Sequence, residues 1–76
     1  MKLFGYIEGN HDQLVTLSEV TVQAKPETLK AIACFLLKCA QEMEDDNSWE
    51  HGHFADSEFV EVPSPDIIVF RETSGP

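Results

Sequence analysis

The stretch PETLKAIACFLLKCAQEM, Pro26 to Met43, is the segment of this chain long and apolar enough to organise a core. At 100° per residue, Leu29, Ile32, Ala33, Leu36, Leu37, Cys39, Ala40 and Met43 fall within roughly 160° of arc. Lys30, Ala31, Cys34, Lys38, Gln41 and Glu42 share the other side, with Phe35 at the border. Pro26 suits a first helical turn, where its missing N–H costs nothing, and Glu27 complements the helix dipole. The pattern predicts an amphipathic helix lying on something flat.

Strand signals stand on both sides of it. Lys2–Glu8 sets Leu3, Gly5 and Ile7 against Phe4, Tyr6 and Glu8, a short strand apolar on both faces. Gly9-Asn10-His11-Asp12 is a turn cluster, so a hairpin into Gln13–Ala24 is expected. In that second run Val15 and Leu17 keep one phase, whereas Val20, Val22 and Ala24 keep the other. A β-bulge or a bend at Ser18-Glu19 would return both halves to one face. After the polar loop 44–48, Trp49, His51, His53 and Ala55 alternate with Glu50, Gly52, Phe54 and Asp56. Phe59, Val60 and Val62 continue this strand or form a short separate one. Pro63-Ser64-Pro65 breaks the chain, and Asp66–Phe70 reads as a buried final strand.

The order is ββαββ. It predicts an α+β fold, a four-stranded and mainly antiparallel sheet with one amphipathic helix packed on one face. Residues 1–72 are expected to form a single domain, with 73–76 a disordered tail. The second sheet face would carry no helix, and Phe4, Tyr6 and Trp49 there offer a surface for homodimerisation.

Charge is the most unusual bulk property. The 76 residues carry a formal −9. Between Lys38 and Arg71 there is no Lys or Arg, while Glu42, Glu44, Asp45, Asp46, Glu50, Asp56, Glu58, Glu61 and Asp66 are acidic. Such a field repels nucleic acid and anionic membrane and attracts a basic partner. The same charge also serves plain solubility. No apolar run reaches membrane-spanning length, and Glu8 interrupts the N-terminal stretch too early for a signal peptide, so a cytoplasmic location is expected. Cys34 and Cys39 sit about 140° apart on one helix and cannot form a disulfide. Cys39 reads as core and Cys34 as partly exposed.

Catalytic signatures are missing. There is no Gly-x-Ser-x-Gly, no glycine-rich phosphate loop, and no basic group evident to activate Cys34. No cofactor is implied. His51 and His53 share one strand face, and a bulge near Asp56 would bring a carboxylate to them, a zinc or iron ligand set that lacks a clear fourth member beyond His11. The bland reading is a pair of half-exposed histidines bonded to carboxylates.

Three segments taken in order, LSEVTVQAKPETLKAIACFLLKCAQEME, WEHGHFAD and PDIIVF, resemble a family of small bacterial proteins regarded as immunity proteins of polymorphic toxin systems. The resemblance spans about residues 14 to 70. It implies a protein that binds and neutralises a cognate toxin domain. On this view Glu42, Glu44, Asp45, Asp46 and Glu50 steer association with a basic partner, and Trp49, His51 and His53 supply central contacts. For Trp49 the competing role is covering the edge of the core. The other function classes are a small metal- or ligand-binding protein using His51, His53 and Asp56, and a self-associating structural module.

Overall fold

The computed structural model describes residues 1–60 and 64–72. Strands β1 (Leu3–Ile7) and β2 (Asn10–Leu17) are followed by helix α1 (Pro26–Asp45). Strand β3 (His51–His53), a single 3-10 turn (Phe54–Asp56) and strand β4 (Ile68–Phe70) complete the order. The expected strand Val62 and break at Pro63 fall at residues 61–63, outside the described residues, as does the expected tail at 73–76.

Sequence patterning gives the α+β class, the element order and the antiparallel pairing. The strands, however, form two separate two-stranded sheets, β1–β2 and β3–β4, in place of one four-stranded sheet. Length is the physical reason. Three-residue strands present too few backbone groups to extend a ladder onto the longer hairpin. The β3–β4 register pairs His51 with Phe70, Gly52 with Val69 and His53 with Ile68.

In the hairpin, Leu3 pairs with Leu17, Gly5 with Val15 and Ile7 with Asn10, with a register shift between Gly5 and Ile7. Positive φ occurs at Gly9 alone among the described residues, 84°, where the chain turns between the strands. Of the bulge or bend expected at Ser18-Glu19, the structure has a bend at Ser18. Strand β2 ends at Leu17, and residues 18–25 run outside either ladder. Val20 and Val22 on that run are exposed.

The helix starts where Pro26 permits, on Lys25, whose carbonyl accepts from Leu29 N–H at 3.0 Å. Its inward face is one edge of the predicted apolar arc together with Phe35 from the border. Phe35 and Cys39 are buried, with Ala31 and Ile32 packed beside them, while Leu29, Leu36 and Leu37 are exposed. A ring fills more volume than a leucine. The helix is therefore rotated to seat Phe35 against Phe54, ring centroids 5.5 Å apart and edge to face.

Phe54 completes the buried core of Phe35, Cys39 and Phe54, ringed by Trp49, Phe59, Val60, Ile67 and Val69. Each buried phenyl contributes about 1.5–3 kcal/mol. Gly52 explains how close β3 comes to the helix. A Cβ there would lie 3.3 Å from Trp49 Cζ2 and 3.4 Å from Cys39 Sγ. Strand β3 is shorter than the alternation suggested because Phe54, after donating its N–H across to Ile67 O at 2.8 Å, accepts Ser57 N–H at 3.0 Å and closes a 3-10 turn. The final apolar run is also not buried throughout. Val69 faces in, and Ile68 and Phe70 face out, as a period of two requires.

Candidate functional site

Residues 42–50 form one acidic rim, and Arg71 gathers its backbone. From the end of β4, the Arg71 guanidinium donates Nη2–H to Met43 O and Asp46 O, both at 2.7 Å, and Nε–H to Trp49 O at 2.8 Å. Its own N–H donates to Glu50 O at 2.9 Å. The end of α1, the following loop and the entry to β3 are thereby drawn around one side chain. The cation also takes up carbonyls that a helix terminus leaves without partners.

The carboxylates lie outside this clamp. Glu42, Glu44, Asp45, Asp46 and Glu50 are all exposed. Asp45 accepts from Gln41 Nε2 at 3.3 Å, and Asp46 Oδ1 accepts from Ser48 Oγ at 2.6 Å and Ser48 N–H at 2.9 Å. The Ser48 hydroxyl and then its amide hold the Asp46 carboxyl below the usual carboxylate range. No Lys or Arg lies in the last turn of α1. Four acids thus crowd the negative end of a helix dipole, where the Arg71 guanidinium on the terminal carbonyls supplies compensating positive charge.

His51 and His53 project from one face of β3, their rings 5.3 Å apart. Glu50 Oε1 meets His51 Nδ1 at 3.0 Å, and the His51 ring stacks on Phe70 at 4.6 Å. The carboxylate at His53 is Asp66, with Oδ2 at 2.7 Å from Nδ1, and not Asp56, which the 3-10 turn carries. Asp66 Oδ1 also accepts Ala55 N–H at 2.8 Å. Burial pushes the Asp66 carboxyl up, but the Ala55 amide, the His53 ring and the Ile67 amide together bring it below its ordinary value. Nothing in the local sequence around the histidines announces Asp66. The signal is the antiparallel register, which sets the entry to β4 beside the exit of β3.

Among the described residues, no group of three or more His, Cys, Asp or Glu is placed to hold a metal ion. The ligand set of His51, His53 and Asp56 is not assembled. Trp49 is half-buried, with its ring against Gly52 and the core. Cys34 and Cys39 are both free thiols, one exposed and one buried. Burial pushes the Cys39 thiol up, the opposite of nucleophile activation. Between α1 and β4 lies a shallow groove lined by Leu36, Ala40, Met43, Glu44, Val69 and Arg71. Among the described residues, no helix is long and apolar enough to cross a membrane.

No curated protein and no solved structure matches the chain. A family model does. The model for immunity protein 32 matches residues 19–72, which takes in the helix, the acidic rim, the histidine strand and β4 and leaves the β1–β2 hairpin outside. The chain belongs to the immunity protein 32 family.

Proposed function

We propose that this protein is a non-catalytic inhibitor that neutralises a cognate toxin domain in the cytoplasm through the acidic rim at the end of α1. Membership of an immunity-protein family supplies the class of function. One observation carries the choice of surface. Glu42, Glu44, Asp45, Asp46 and Glu50 are exposed together at one end of the molecule, and Arg71 beside them gives its guanidinium to backbone carbonyls. Exposed charge of one sign steers association with a partner of the opposite sign. The partner that suits them is a basic domain. Glu50 extends the rim, and His51, stacked on the exposed Phe70, adds an aromatic contact beside it. His53 and Trp49 complete the contact surface at its inner margin.

The test is affinity capture from the native host at low and physiological salt. The native chain is compared with a variant carrying Glu42→Gln, Glu44→Gln, Asp45→Asn, Asp46→Asn and Glu50→Gln. Retention of a protein with a basic domain by the native chain alone is expected, with binding weakened as salt shortens the Debye length to about 8 Å. Equal retention by both chains would place the contact elsewhere on the molecule. Asn at position 46 keeps an acceptor oxygen for Ser48, so the loop survives the change.

A further inference from the structure

The helix carries a second apolar stripe that the molecule does not cover. Leu29 is 47% exposed, Leu36 45% and Leu37 72%. Ala33 and Ala40, also exposed, lie between them on the same side of the helix.

We propose that this outer stripe is the interface of a homodimer in which α1 packs antiparallel on α1 of a second copy. The stripe is self-complementary. Leu36, Ala40 and Met43 stand at i, i+4 and i+7 around an opening for a side chain of a facing helix, with the buried Cys39 at i+3 as its floor, and they line the groove beside β4. With the two-fold axis near Leu37, Leu36 of each copy enters that opening on the other. Ala33 and Ala40 let the two backbones approach.

Charge selects the antiparallel sense. At 100° per residue, Glu44 falls between Ala33 and Leu37 and Lys30 just beyond Leu37, both exposed, and a two-fold near Leu37 sets Lys30 of one copy opposite Glu44 of the other. The same geometry holds the two acidic rims apart. At 1.5 Å rise per residue, the two Glu44 positions are about 20 Å apart, more than two Debye lengths at physiological salt. A parallel pair would superpose them.

The interface makes a salt response opposite to that of a basic partner. Two chains of formal charge −9 repel, so added salt strengthens their association. The experiment uses the isolated chain, so its result does not depend on the toxin-binding reading. Sedimentation velocity across about 1 µM to 1 mM protein is expected to show a monomer–dimer equilibrium that tightens as salt rises. Leu36→Lys should weaken it about tenfold or more. Lys30→Glu and Glu44→Lys should each weaken it, and the two combined should restore it. Both are surface residues, so the charge exchange tests the interface even where Leu36→Lys disturbs the helix by circular dichroism. A chain that stays monomeric throughout this range overturns the proposal. So does a dimer indifferent to the charge exchange, which would place the contact on another face.

Discussion

Asp66 does more for this structure than its place in an acidic chain would suggest. It holds the Ala55 amide with one oxygen and the His53 ring with the other, and so fixes the exit of β3 against the entry of β4. Because its folded pKa lies below the ordinary value of 3.8, the ionised carboxylate stabilises the fold. That contribution is present above the unfolded pKa and is lost as pH falls through the folded one. Asp66→Asn should therefore lower stability at neutral pH by about 1 kcal/mol. It should also flatten the acid limb of the stability curve below pH ~4. Urea titrations at several pH values check both, and an acid limb unchanged from the native protein would remove Asp66 from this role. The sequence places the histidines on a common face correctly, because a period of two is a local property. It offers Asp56 as their carboxylate because Asp56 is near in sequence, whereas the true neighbour arrives through strand pairing.

At the scale of elements, α1 is the clearest case of a pattern read well in outline and only partly in orientation. Its start, its approximate length and its amphipathic character follow from Pro26 and the spacing of apolar residues. The inward side does so only at one edge, because two apolar stripes share the helix. Ile32, Phe35 and Cys39 form one, and Leu29, Leu36 and Leu37 form the other. Counting residues merges them, and only the position of Phe54 decides which one is buried. The far end of the helix depends on a distant residue. With no basic side chain in its last turn, α1 relies on Arg71 for its terminal carbonyls. Arg71→Ala should destabilise the protein by about 2–3 kcal/mol, and Arg71→Lys should recover only part, since an ammonium cannot reproduce the planar fork. Denaturant midpoints of the two variants test this. A loss below about 0.5 kcal/mol for Arg71→Ala would show the clamp to be incidental.

For the whole molecule, the governing facts are a small core and a large charge. Three buried side chains, Phe35, Cys39 and Phe54, anchor a described structure with exposed apolar residues on both the hairpin and the helix. A formal −9 adds repulsion within each folded chain. Raising sodium chloride from about 0.05 to 0.5 M should therefore raise the melting temperature by several degrees, as expected when roughly 1 kcal/mol of repulsion is screened. Calorimetry at low protein concentration isolates this effect from association, and a melting point insensitive to salt would contradict it. Overall charge and class were legible in composition and element order. The division into two sheets was not, because strand alternation says which face a residue takes and nothing about which strands meet.

That division leaves a seam in the chain. Among the described residues, no backbone hydrogen bond joins β1–β2 to β3–β4, and residues 18–25 link them without entering either ladder. The boundary of the family match, Glu19, falls at this same seam. The ladder, helix and clamp that follow are therefore closed by their own backbone hydrogen bonds and draw none from the hairpin.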